Sequence, residues 1–147
     1  MTQTVRFQKL DERAVTPAYG SAAAAGADLY AVLDAPLTVA VGETVLVHTG
    51  LAVEIPAGFV GLVCARSGLA TKRGLAPANK VGVIDADYRG EIMVALHNHS
   101  TAPQTIEQGE RVAQLVLVPY LTAVYEEAES LTDTLRGAGG FGSTGMK

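Results

Sequence analysis

The sequence predicts an all-β fold, a jelly roll or sandwich carrying one short helix, on three observations. Glycine and proline punctuate the chain every few residues, from Pro17 and Gly20 through Gly50, Pro56, Gly74 and Gly90 to Gly109 and Pro119. Between these marks lie short β-branched runs, not long stretches of helical period. Within residues 91–96 the alternation is explicit: Ile92, Val94 and Leu96 share one face, and Glu91, Met93 and Ala95 share the other.

Taken in order, residues 5–9, 44–47, 51–55, 59–65, 91–96, 111–118 and 123–127 read as strands. Residues 22–25 are four alanines, but Gly20 and Gly26 bracket them too closely for a helix, so they read as loop. The one helix is expected after Ser67. Serine suits a start, Lys72 and Arg73 suit the last turn, and Gly74 can close the end in a left-handed conformation. Arg66 and Ser67 at that start also suit an anion, although a capped helix alone accounts for them. From Arg136 the composition turns to glycine, serine and threonine with little apolar surface to offset the entropy of ordering. The chain therefore divides into one β domain over residues 1–135 and a mobile arm over 136–147.

A chain of 147 residues, 48% apolar, supports a single core and little more. The net charge of −4 and the absence of any basic cluster longer than Lys72-Arg73 argue against a nucleic-acid backbone binder, which must neutralise several phosphates together. No stretch approaches the ~20 apolar residues of a membrane span, and residues 1–13 lack the apolar segment of a signal peptide. The lone Cys64 cannot form an internal disulfide and is expected as a buried thiol. A cytoplasmic protein is the expectation.

The densest chemistry lies in residues 82–92, where two apolar stretches flank a turn of Asp, Tyr, Arg and Gly. They read as a β-hairpin with a polar tip. Asp85, at the inner end, is expected to be partly desolvated and hydrogen-bonded, placed to take a proton from water. Asp87, nearer the tip, reads as a solvated turn residue. Asp28 is an isolated acid at the mouth of an apolar stretch, suited equally to a turn or a cation. His97 and His99, with His48 far off, give a zinc site little support and read as exposed strand histidines. The Gly140 and Gly145 spacing resembles a phosphate loop, but Met146 stands where its lysine belongs. No Gly-x-Ser-x-Gly elbow is present.

Five segments, in this order, resemble the trimeric deoxyuridine triphosphatases (dUTP diphosphatases). They are residues 25–31 (AGADLYA), 65–70 (ARSGLA), 82–91 (GVIDADYRGE), 109–115 (GERVAQL) and 136–145 (RGAGGFGSTG). The resemblance implies a jelly-roll subunit, a homotrimer with active sites shared between subunits, and Mg²⁺-dependent hydrolysis of dUTP to dUMP and pyrophosphate. It would supply dUMP for thymidylate synthesis and keep uracil out of DNA. Carried onto this chain, it makes Asp85 the base for the water that attacks the α-phosphorus. Arg66, Ser67, Gly68 and Gln114 hold phosphates, and Asp28 meets the hydrated metal through water. Asn79 and the backbone around Val83 and Ile84 read uracil, Tyr88 packs under the deoxyribose, and Met93 lines the pocket. The arm brings Phe141 over the base, with Arg136, Gly142, Ser143 and Thr144 around the substrate. The related dCTP deaminases share the Arg-Ser element but attack the base with a glutamate, where this chain presents Asp85 and Tyr88. A nucleotide-sensing module without catalysis is the reading from a different class.

Overall fold

In the computed structural model, which describes residues 2–140, the predicted alternation is realised in β9 (Glu91–Asn98), where every second residue from Ile92 is buried. Eleven strands and one helix are present among the described residues. They are β1 (Arg6–Lys9), β2 (Ala18–Tyr19), β3 (Ala27–Tyr30), β4 (Leu37–Val39), β5 (Thr44–Glu54), β6 (Phe59–Cys64), α1 (Ser67–Arg73), β7 (Leu75–Pro77), β8 (Val81–Ile84), β9, β10 (Gln104–Ile106) and β11 (Arg111–Pro119). The order β1-β5-β9-β7 makes one sheet and β2-β3-β11-β6-β8 a second, while β10 and β4 form a two-stranded ribbon. All pairings are antiparallel. One contiguous core takes Leu29, Val63 and Val112 from the five-stranded sheet and Val47, Ile92 and Leu96 from the four-stranded one. Each such side chain contributes ~1.5–3 kcal/mol by leaving water. No helix among the described residues is long and apolar enough to cross a membrane.

Helix α1 forms where expected, with Lys72 and Arg73 in its last turn. Gly74 closes it at φ 65°, and its N–H bonds back to the Ala70 and Leu69 carbonyls. A side chain there would also meet the Ser100 backbone at 2.8 Å, so glycine is required twice over. The start differs from expectation. Arg66, with extended φ −89° and ψ 127°, holds the cap position and makes no side-chain cap bond, so Ser67 is the first helical residue and does not cap. Arg73 anchors the other end, reaching Glu110, the Thr105 carbonyl and Gln104.

Four other expectations are corrected. Residues 44–47 and 51–55 are one strand, β5. Gly50, at φ 65°, does not end it but bulges it, and the register against β9 shifts between His48 and Ala52. The expected hairpin around residues 82–92 is not one: β8 pairs with β6, whereas β9 pairs with β5 and β7, so the turn carries the chain from one sheet to the other. Residues 123–127 form no strand; after Pro119 the chain leaves the sheet, and Val124 and Tyr125 lie almost fully exposed with no neighbouring strand to pair with. Cys64 is half-buried, because it alternates with the buried Val63 and faces away from the core.

Candidate functional site

The chemistry-bearing residues collect in two places. The first is a cavity of about 310 Å³ between β8 and β9, lined by Asn79, Val83, Ile84, Asp85, Tyr88 and Met93 together with Leu46, Pro77 and Glu91. Six residues singled out from sequence thus share one cavity, with Val83, Tyr88 and Met93 exposed to it. Its mixed lining of apolar walls and few polar groups suits a small organic ligand. Asp85 sits one residue past the end of β8. Contrary to expectation it is exposed, and among the described residues nothing donates to its carboxylate, because it falls on the same outward-facing parity as Val83. Asp85 and Asp87 also border an adjoining hollow with Phe59, Val60 and Tyr120.

The turn holding Asp85 is tied down locally. The Tyr88 N–H bonds to the Asp85 carbonyl at 3.2 Å, and the Tyr88 hydroxyl donates to the Glu91 carbonyl at 2.9 Å. Gly90 lies directly under the Tyr88 ring, with no space for a methyl group. Arg89 donates to the Ala86 and Tyr88 carbonyls at 2.7 and 2.9 Å. Glu91 completes the support by accepting from the Gly50 N–H at 2.7 Å and facing His48 Nδ1 at 2.9 Å. Arg89 and Glu91 carry no role in the sequence reading. Their position inside the 82–91 segment was the available signal, but the partners of the Glu91 side chain, Gly50 and His48, lie 41 and 43 residues away.

The second place is the end of β6. Arg66, Ser67 and Gly68 open α1, with Ser67 and Gly68 exposed. Asp28 on β3 is buried, and its two oxygens accept from Arg66 Nε at 2.8 Å and Arg111 Nη1 at 3.2 Å. A carboxylate expected to face a hydrated cation therefore holds two guanidinium groups. Gln114, paired with Asp28 on one side and Cys64 on the other, donates its amide to the Ala65 carbonyl at 2.8 Å. Its side chain fills the space over Gly26, which is why glycine precedes Ala27 and Asp28. Arg111 is the residue that sequence reading passed over here. It lay within the 109–115 segment, but nothing local revealed its partner 83 residues away.

These two places do not meet within one chain. Gly61 pairs with Ile84 and Cys64 with Val81, so Asp85 and Arg66 lie at opposite ends of β6. At ~3.3 Å per residue they stand about 20 Å apart along the strand direction. Arg136 is exposed, its Nε bonded to the Gly139 carbonyl at 2.8 Å. Phe141, Gly142, Ser143 and Thr144 lie outside the described residues. Among the described residues no group of three or more His, Cys, Asp or Glu side chains is arranged to hold a metal ion.

The model of the dUTPase family matches residues 12–145. A deoxyuridine 5'-triphosphate nucleotidohydrolase of Desulfitobacterium hafniense is 48% identical over 143 residues, covering 97% of this chain and 95% of that one. Another, of Maricaulis maris, is 45% identical over 150 residues and covers 99% of each. Among solved structures, a mutant dUTPase of Staphylococcus bacteriophage 80alpha with dUpNHpp superposes with a TM-score of 0.90 at 28% identity, over 99% of this chain and 100% of that one. A mutant dUTPase of phage phi11 of S. aureus, whose structure concerns coordination of a structural Mg(II) ion, gives 0.80 at 25% identity, over 89% of this chain and 100% of that one.

Proposed function

The chain belongs to the dUTPase family and hydrolyses dUTP to dUMP, and from that premise we propose how its residues do so. The cavity lined by Asn79, Val83, Ile84, Asp85, Tyr88 and Met93 supports the reading most directly. Uracil enters between β8 and β9, where Asn79 and the backbone of residues 83–84 meet its polar edge. A cytosine there leaves polar groups unpaired, which a buried site penalises heavily. Tyr88 forms the wall under the deoxyribose, held by Glu91 and seated on Gly90. Asp85 takes a proton from water as the water oxygen bonds to the α-phosphorus. The bond from that phosphorus to the bridging oxygen breaks, and pyrophosphate leaves with the electron pair. General-base assistance of this kind is worth ~10²–10⁴-fold.

Arg66, Ser67, Gly68 and Gln114 hold the triphosphate. Since these groups stand at the far end of β6 from Asp85, a complete site takes Asp85 from one copy of the chain and Arg66 from another. The jelly-roll subunit then works as a homotrimer. The exposure of Leu121, Val124, Tyr125 and Leu131 in a single copy supports this, because each contributes ~1.5–3 kcal/mol when a neighbour covers it. Residues 136–147 close the site, with Arg136, Phe141, Gly142, Ser143 and Thr144 supplying the contacts. Closure excludes water and aligns the phosphorus for in-line attack.

The donor set fits Mg²⁺ carried by the triphosphate and its own waters rather than caged by protein. Two of about four lone-pair sites on Asp28 are taken by arginines, and the rest can meet metal-bound water. When bound, the ion neutralises charge on the phosphate oxygens.

The test is pyrophosphate release from dUTP, dCTP, dTTP and UTP with Mg²⁺, in the unmodified protein and in Asp85→Asn. Release from dUTP alone, reduced at least 100-fold in the variant while nucleotide binding persists, is the expected result. Full turnover in Asp85→Asn would remove Asp85 from the mechanism.

A further inference from the structure

The β5 bulge and the nucleotide cavity are joined through one side chain. At the bulge, the Gly50 N–H has no ladder partner on β9 and is satisfied by Glu91 Oε1 at 2.7 Å, while Glu91 Oε2 faces His48 Nδ1 at 2.9 Å. Thr49, fully buried, fixes the same turn by donating to the Ile92 carbonyl at 2.6 Å. The backbone carbonyl of the same Glu91 accepts the Tyr88 hydroxyl at 2.9 Å, and Gly90 between them, having no side chain, makes room for the ring. Glu91 also borders both the nucleotide cavity and a hollow beyond the bulge that contains Asp11, Arg13, Asp34 and His48.

We propose that Glu91 is a positioning residue for substrate selection: by clamping the β5 bulge with its carboxylate it fixes the carbonyl that orients Tyr88, and so sets how closely the ring approaches the sugar. The inference rests on the reading of Tyr88 as the wall under the deoxyribose. A freed Glu91 lets the start of β9 move, and Tyr88, whose hydroxyl is held only by that carbonyl, moves with it. The expected consequence is relaxed exclusion of a 2′-hydroxyl, read in the dUTP-over-UTP ratio.

The experiment compares kcat and KM for dUTP and UTP in Glu91→Ala, Glu91→Gln, Tyr88→Phe, Tyr88→Ala and the double variant Glu91→Ala/Tyr88→Phe, with a melting curve for each. Glu91→Ala should lower the dUTP-over-UTP ratio of kcat/KM about tenfold, mainly by raising kcat/KM for UTP relative to dUTP. Glu91→Gln, which keeps an acceptor for Gly50, should restore most of the ratio. The double variant should be no worse than the more affected single one, as expected when both substitutions break one linkage. Additive losses, or a lowered melting temperature with an unchanged ratio, would overturn the proposal. If Tyr88→Phe and Tyr88→Ala both leave the ratio untouched, the reading of Tyr88 fails instead. Where Glu91→Ala does not fold, Glu91→Asp carries the same comparison, keeping the charge but falling a methylene short of the bulge. Failure of both to fold makes Glu91 a structural brace only and also overturns the proposal.

Discussion

Replacing Asp28 by asparagine separates two accounts of that residue. In the structure its carboxylate is buried and accepts from Arg66 at 2.8 Å and Arg111 at 3.2 Å. A unit pair at ~4 Å with an effective dielectric near 20 attracts by about 4 kcal/mol, but the desolvation of the buried carboxylate cancels much of that. Removing one member of a fully buried pair costs ~3–5 kcal/mol, and an exposed pair is worth ~0–1. The Arg66 side chain is 25% exposed and that of Arg111 52% exposed, which places this cluster between those limits, at about 2 kcal/mol. For a chain of this size that is about 4–8 °C in melting temperature. Arg66 also loses its orientation, and a loss of about 1.4 kcal/mol at a phosphate contact raises KM for dUTP about tenfold. Thermal unfolding at one fixed protomer concentration, without Mg²⁺ or nucleotide, reads the first effect, and steady-state kinetics across a Mg²⁺ titration reads the second. If the variant melts like its parent and differs only in the Mg²⁺ needed for half activity, Asp28 serves the metal and the arginine account is wrong.

The same region yields a second prediction. Gly26→Ala places a methyl group against the Gln114 side chain, 2.9 Å from its Cδ, and forces the amide off the Ala65 carbonyl. The cost should be ~1–3 kcal/mol, seen as a lower denaturant midpoint, and it should not add to that of Gln114→Ala. A third concerns the half-buried Asp11, whose carboxyl is held down to about 2 from 3.8 by its hydrogen bonds with the Arg13 side chain and backbone. With the folded value depressed, its contribution to stability is complete above 3.8 and is lost as pH falls from there toward 2. In Arg13→Ala the Asp11 titration, followed by carboxyl-carbon NMR, should rise from about 2 toward 3.8, with the residue-13 backbone N–H still holding it below that value. A midpoint still near 2 would show that the Asp11 backbone contact alone suffices.

What could be read from sequence depended on the range of the interactions involved. The alternation in β9, the closing Gly74 of α1 and the loop at residues 22–25 are local matters, and the structure repeats them. Of the six cavity residues, Asp85 was legible in the dense segment 82–92 itself and the other five only through the family resemblance that segment carries; the fold brings all six to one cavity. The failures share a different cause. Gly50 reads as a strand end unless Glu91, 41 residues on, is known to satisfy its N–H. The turn at residues 85–90 has hairpin chemistry, and only the pairing of β8 with β6 shows that it crosses between sheets. Asp28 looked isolated because Arg66 and Arg111 are 38 and 83 residues away. Its burial and its pairing with both arginines are properties of the folded sheet, not of the segment AGADLYA.

The separation of Asp85 from Arg66 along β6 permits a decisive test of where catalysis resides. If each site combines Asp85 of one copy with Arg66 of another, two inactive variants should repair each other. In Asp85→Asn every copy keeps Arg66, and in Arg66→Gln every copy keeps Asp85. Unfolded together at equal concentration and refolded, they assemble at random, and a site is intact when its Asp85 comes from the second variant and its Arg66 from the first. The chance of that is one half for each, so about a quarter of the parental activity should return in a closed ring of identical contacts. Each variant refolded alone should stay inactive, and a mixture prepared without unfolding should gain activity only as fast as subunits exchange. If the two residues instead serve a site within one chain, every site in the mixture carries one lesion and no activity returns. That result would demand a rearrangement that closes about 20 Å along a strand whose ends are both fixed in the sheet, by Gly61 against Ile84 and Cys64 against Val81.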